Sequence, residues 1–596
     1  MRTPFTLMLF SLAFLLSGIP LSALLPGNPG HQANPQITVA GIPAAPEACA
    51  AEQMLNGGPA LAWATYYGGL DGDFGRAIAA DSMGNVYLAG DTESEDIMNT
   101  GGHQNTYGGG DRDVFLVKSD ASGARLWSTY YGGTGWDYGY SLAIDQEGNL
   151  YLAGTTNSSG NIASGGHQNT HGGSNDAFLV KFDAAGVRQW ATYYGGSGSD
   201  SGTGVAVDKQ GNVYLAGHTQ STAGIASGGH QNTHGGTNDA FLAKFNASGT
   251  RLWATYYGGF GFEENSSVAT DGEGNVFLSG RAEGFGNIAS GGHQNNFGGG
   301  TFDAFLAKFN AAGVRQWATF YGGSRDDLGF SVATDGSGNV YLAGITGSEN
   351  NIAAAGHQMS YGGVGDAFLA KFNAAGARQW GTYYGGTSGE QSGQVAVDAE
   401  GNVYLAGTTV STDNIAFGGF QDALRGSTDL FLARFDSAGA RQWGTYYGAV
   451  PDDQALAVAA GPSGDIYVSG YTESFSNFAT GGFQNTYGGG AWDAFLVKVE
   501  GGAISGSPAL TPLAPQINTY PNPVKDVLQV VVANPSLSAC TLQLHSVEGR
   551  LLREQEIPAP GSEWTAELGM QGLSAGIYVL TVRSAAGSAG RKVIKE

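Results

Sequence analysis

Seven tryptophans, Trp63, Trp127, Trp190, Trp253, Trp317, Trp380 and Trp443, recur every 63 or 64 residues. Spacing of that length marks one supersecondary unit copied along the chain, and it constrains the fold more than any single motif. Each copy holds four short β patterns, A to D; in the third they cover 205–208, 212–217, 239–245 and 251–259. Asp208-Lys-Gln-Gly211-Asn212 links A to B, and Asn246-Ala-Ser-Gly249 links C to D. Both fit a type I turn closed by a glycine at positive φ. The first also looks like a fragment of a calcium loop, but the later carboxylates that such a loop needs are missing. The 100 glycines and 11% aromatic residues suit many short strands joined by tight turns.

Counting turns turns the repeat into an architecture. There are seven A–B turns but six C–D turns, because the chain enters the array on a lone D pattern at 61–69 and leaves it on a lone C pattern at 493–499. Pairing those two strands completes a seventh unit and removes the sheet edges that invite aggregation. The expectation is an all-β, closed seven-bladed propeller over 60–500, with four-stranded blades and the N-terminal strand completing the last. The repeated Trp-x-Thr-Tyr-Tyr-Gly-Gly, Asn-Val-Tyr-Leu-Ala-Gly and Asp-Ala-Phe-Leu-Ala-Lys-Phe segments resemble the bacterial seven-bladed β-propeller (SBBP) repeat family. That resemblance implies the fold and no single activity.

Residues 1–23 read as a signal peptide: Arg2, an apolar run at 5–16, and Leu21-Ser22-Ala23 as a small-residue cleavage site. Gly18 and Pro20 cut the run short of the roughly 20 residues a membrane span needs, so no transmembrane segment is expected in the mature chain. A linker at 24–59 follows, and a Pro-rich linker at 501–515 leads to a second β region at 516–596. That region reads as a small β-sandwich, with strands at 527–532, 541–547 and 576–582. Its Tyr520-Pro521-Asn522-Pro523, Gly576-Ile577-Tyr578, and Lys592, Val593 and Lys595 resemble the type A sorting domain of the type IX secretion system of Bacteroidetes. The resemblance implies export by the Sec and type IX machineries, and a product secreted or attached to the outer surface.

A net charge of −24 argues against nucleic acid. Cys49 and Cys540 form neither a disulfide framework nor a metal cluster. Nucleophile elbow, phosphate-binding glycine loop and zinc His-Glu-x-x-His motifs are not found, so no catalytic residue, metal ligand or cofactor is assigned.

Two features recur at fixed distance from the tryptophans. Ten residues on stands an acid in every copy: Asp73, Asp137, Asp200, Glu263, Asp327, Glu390 and Asp453. Placed in the D–A loops, these would ring one channel mouth and could hold a Ca2+ ion or a cationic partner group; alternatively each accepts N–H bonds within its own loop. Forty residues on stand His103, His167, His230, His293 and His357, replaced by Phe420 and Phe483 in the last two copies. Phenylalanine cannot ligate, so the position asks for a flat ring that packs. The long B–C loops emerge on the same face as the acids, making that face the functional candidate. The functional expectation is a monomeric, non-catalytic surface or secreted module that binds a glycan, protein or matrix component; a polysaccharide lyase or hydrolase, or a purely structural surface array, are the alternatives.

Overall fold

The computed structural model describes residues 58–97, 101–286, 288–462, 464–500, 516–520, 524–533, 540–546, 550–557, 563–584 and 587–596. The signal peptide, nearly all of the first linker, the second linker and Pro521, Asn522 and Pro523 lie outside them. The chain divides into two compact units, 1–503 and 504–596.

The first unit consists of seven four-stranded antiparallel sheets, six of them taking four consecutive strands each. Their inner strands A are Asp73–Ala80, Asp137–Ile144, Asp200–Val207, Glu263–Thr270, Asp327–Thr334, Gln394–Val397 and Asp453–Ala460, which number the blades 1 to 7. Each inner strand packs against the next, and that of blade 7 packs against that of blade 1, so the ring closes. The seventh sheet is the one that needs both chain ends of the array. Its outer strand is Ala60–Tyr67, paired antiparallel with Asp493–Glu500.

The seams between blades hold the core, and the repeat motifs explain why. Strand B residues such as Val213, Tyr214 and Leu215 are buried on both faces, as sheets sandwiched between neighbours require. The strand-D tryptophan closes each seam with a directed bond. Trp63, Trp127, Trp190, Trp253, Trp317 and Trp380 each donate their indole N–H to a carbonyl in the C–D turn of the following blade, at 3.0–3.2 Å. Trp443 faces blade 7, where strands from the two ends of the array stand in place of a C–D hairpin, and among the described residues its buried Nε1 has no partner. The second tyrosine of strand D adds another clamp, as in Tyr194 Oη donating to the Ile225 carbonyl of the next blade at 2.6 Å.

The second unit is a two-sheet β-sandwich. Gln516–Tyr520, Val527–Ala533 and Glu563–Gly569 form one sheet; Leu551–Ile557, Cys540–Ser546, Gly576–Ser584 and Gly587–Lys595 form the other. Val524, Leu528, Val530, Leu542, Leu544, Leu568, Tyr578, Leu580 and Val593 fill the space between them. Tyr578 and Val593 of the sorting motif are therefore core residues, whereas Gly576 and Ile577 are exposed. No α-helix occurs among the described residues, and hence none long and apolar enough to cross a membrane.

Candidate functional site

The recurrent acids stand elsewhere than in the D–A loops. Six of them are the first residue of strand A, which begins earlier than the periodicity suggests because a register shift near its third residue lets the ladder run on. Glu390 makes an isolated bridge with Thr409 ahead of its shortened strand. All seven side chains are buried, six at 0% exposure and Glu390 at 3%. They turn into the seams rather than towards the mouth, which corrects the expected open ring.

What draws them inward is a set of donors from their own blade and from the D–A loop that leads into it. Asp327 accepts the Gly323 N–H at 2.7 Å, the Ser348 hydroxyl at 2.8 Å and the Thr346 hydroxyl. Asp73, Asp200 and Asp453 repeat that triad. In copy 4 Ala282 and Gly284 replace the hydroxyl donors, and Glu263 keeps the Gly259 N–H at 2.9 Å.

A second acid faces each of the first, and sequence reasoning passed over it. It heads strand C: Asp113, Asp176, Asp239, Asp303, Asp366, Asp429 and Asp493, all at 0% exposure. Its signal was present as the invariant first residue of the Asp-Ala-Phe-Leu-Ala-Lys-Phe segment. The two acids come from neighbouring blades and converge on the first glycine of the Gly-Gly pair. A Cβ built on Gly322 would stand 2.5 Å from Asp303 Oδ1 and 2.7 Å from Asp327 Oδ2. The same crowding recurs at Gly68, Gly195, Gly258 and Gly448, so only glycine fits there. Among the described residues Asp303 Oδ1, like that of Asp113, Asp366 and Asp493, has no hydrogen-bond partner. Burial lifts Asp303, Asp113, Asp73, Asp453 and Asp493 to about 7, and Glu263 and Glu390 to about 8. A pair in which one carboxyl keeps its proton avoids two buried charges side by side.

The rings at the histidine position pack, as the phenylalanine exchange implies. His103 lies 6.3 Å from Tyr131, and Phe420 6.0 Å from Tyr447. Burial, then Arg378, holds the His293 imidazole below its usual range. Open grooves of about 670 and 590 Å3 occur at equivalent places in two seams, beside Phe483 with Arg125 and beside His293 with Arg378. They belong to the repeat rather than to one site.

The copies diverge at the end of the ring where strand A starts, strand B ends and the long loops meet. Residue pairs just inside the buried acids face each other across the A–B ladder as Phe74 and Asp91, Tyr138 and Thr155, Ser201 and His218, Glu264 and Arg281, Leu328 and Ile345, and Gln454 and Tyr471. Blades 7, 1 and 2 there assemble an aromatic and charged cluster. Buried Asp91 accepts from Arg76 Nε and from Arg112 Nη1, the latter at 2.7 Å, and Arg112 also pairs with Glu93. The Arg112 guanidinium lies 4.6 Å from the Phe74 ring centre, and that of Arg76 5.5 Å from Tyr140. Blades 3 and 4 place a Glu264–Arg281 ion pair with Phe302 and His218, whose buried Nδ1 has no partner among the described residues. Burial lowers the His218 pKa, favouring neutral imidazole.

Two family models match the chain. A family model described as a beta-propeller repeat matches residues 62–97, 126–161 and 189–223. One described as a secretion system C-terminal sorting domain matches 518–596. An uncharacterized WD repeat-containing protein of Acanthamoeba polyphaga mimivirus is 22% identical over 498 residues, 69% of this chain and 36% of that protein. The regulatory protein FlaEY of Caulobacter vibrioides is 27% identical over 211 residues, 33% of this chain and 22% of that protein. This chain thus spans about a third or less of those relatives. Among solved structures, Sqt1 from Chaetomium thermophilum matches 74% of this chain and 99% of its own, at 11% identity and a TM-score of 0.35. The quinohemoprotein alcohol dehydrogenase ADHIIG from Pseudomonas putida matches 78% and 79%, at 14% identity and a TM-score of 0.32. The chain therefore carries β-propeller repeats and a type IX secretion C-terminal sorting domain, and that domain indicates export to the cell surface or extracellular space.

Proposed function

We propose that this exported propeller is a non-catalytic binding module whose ligand sits on the end of the ring where the D–A and B–C loops meet. One observation carries the reading. Asp73, buried in its seam, recurs as an acid in all seven copies, whereas Phe74 and Arg76, one and three residues further along the same strand, have no counterpart of their kind in most other copies. Packing of like blades explains sameness; it does not ask for difference. A ligand contacting only part of a ring does. The sorting domain puts that end where extracellular partners can reach it, with the secretion machinery as the partner in transit.

The test uses the secreted protein against an immobilised panel of polysaccharides and cell-surface proteins, beside a variant carrying Tyr138→Ala and Trp492→Ala. Binding that the variant loses, with no product released, supports the reading. Release of shortened saccharide instead supports a polysaccharide-acting enzyme. His218, which burial biases toward its neutral form and which senses Glu264 and Arg281, favours that second reading, and His218→Ala would then abolish cleavage.

A further inference from the structure

Resting on that reading, we infer that the sector formed by blades 7, 1 and 2 is a binding site for a neutral saccharide. Its walls are aromatic. The Tyr138 and Tyr140 rings stack at 5.9 Å and 12°, Trp136 leans on Tyr138 at 5.1 Å, and all three are partly exposed. On the other side Phe74, buried, props Trp492 at 5.4 Å and Tyr471 at 5.0 Å. Sugar rings present faces of C–H groups that settle on such surfaces, and a rigid aromatic costs little conformational entropy to hold in place.

Between the walls lies a set of directed polar groups with no net charge. Arg76 and Arg112 bring two positive charges, and Asp91 and Glu93 two negative ones, joined in a continuous chain of ion pairs. Asp91 is fully buried, while the Arg76, Arg112 and Glu93 side chains keep 25%, 12% and 39% of their surface exposed. Planar donors beside an acceptor suit neighbouring hydroxyl groups. A phosphate or carboxylate ligand would instead have to displace Glu93 and approach past Asp111, whose negative charge acts on Tyr138. The geometry therefore selects hydroxyls over anions. Arg76 and Arg112 are themselves fixed by stacking on Phe74 and Tyr138, at 4.6–5.7 Å for three of those contacts, so the polar groups are held before a ligand arrives.

Titration of the full secreted chain, followed by tryptophan fluorescence, tests this with neutral hexasaccharides of glucose, xylose and mannose, and with hexagalacturonate as the acidic probe. The expected result is saturable binding of at least one neutral probe that changes less than threefold between 0.05 and 0.5 M salt. Tyr138→Ala and Arg76→Met should each weaken it at least tenfold in protein that still unfolds in a single cooperative transition. Tighter binding of hexagalacturonate, falling steeply with salt, overturns the neutral class. Binding of no saccharide, with a protein from the panel captured in a Trp492-dependent way, overturns the saccharide and leaves the ring-end reading standing. Binding that ignores these variants but disappears with changes to the A–B turns, such as Lys209→Glu, overturns both.

Discussion

Asp73 and Arg76 share one strand and have opposite histories. The first repeats in every blade, is buried, and bonds to its own blade; the second belongs to blade 1 alone, is partly exposed, and touches blade 2. The seam and the ring end are thus built on different principles. Seven equivalent interfaces must pack alike for a ring to close, so any residue that a seam requires appears seven times. The ring end carries no such requirement, and there the copies part company.

Removing a seam acid tests the first half of that contrast most severely. Asp327→Ala strands the Gly323 N–H and the Thr346 and Ser348 hydroxyls in a buried place. The loss should be about 3–5 kcal/mol in denaturant unfolding. A loss below about 1 kcal/mol would mean that the seam does not depend on its acid.

The paired acids also predict how stability follows pH. Their folded values of about 6–8 lie above the ordinary carboxyl range, so between pH 4 and 8 the folded ring holds protons that the unfolded chain releases. The stabilising contribution is complete below about pH 4 and is lost as pH rises through 6–8. Thermal unfolding should therefore move to lower temperature from pH 5 to 8.5, by about 1.4 kcal/mol per pH unit for each proton held. Asp303→Asn, which imitates the protonated acid, should be well tolerated and should flatten that slope. Calcium should leave the midpoint unchanged; a rise that Asp303→Asn removes would replace the shared proton with a cation.

How much of this was legible beforehand follows the same division. The Trp period, the Gly-closed turns and the unequal turn counts already specify a closed ring, because each is local and repeated. The inner acids were visible as a pattern, but their direction was not: whether Asp327 looks into a channel or a seam depends on Gly323, Thr346 and Ser348 reaching it from three places. The outer acids hid inside the strand-C motif, since only the meeting of two blades makes Asp303 a partner of Asp327. The ring-end cluster was harder still. Phe74, Tyr138 and Trp492 are ordinary residues in a chain full of aromatics, and what singles them out is the absence of a repeat.

The tryptophan bonds separate ring closure from mere packing. Trp317 donates to the Ala374 carbonyl at 3.0 Å, whereas Trp443 is buried to a similar degree with no acceptor. Trp317→Phe should cost about 2 kcal/mol, from the lost bond and the trimmed ring. Trp443→Phe should cost about 1 kcal/mol less. Equal losses would show that the indole bond contributes nothing to the seam.

The smallest effect probes the ring end directly. Leu328 and Phe330 of blade 5 occupy the places that Ser201 and Thr203 hold in blade 3. If the ring end is free of packing demands, giving blade 5 the blade 3 residues, Leu328→Ser with Phe330→Thr, should change unfolding free energy by under about 1 kcal/mol, since both side chains are already partly exposed. The matched exchange in a seam, Gly322→Ala, forces a methyl group against two carboxylates at 2.5 and 2.7 Å and has no such latitude. Should the blade 5 exchange prove as damaging as the glycine substitution, divergence among the copies would reflect local packing, and the ring end would lose its standing as the binding face.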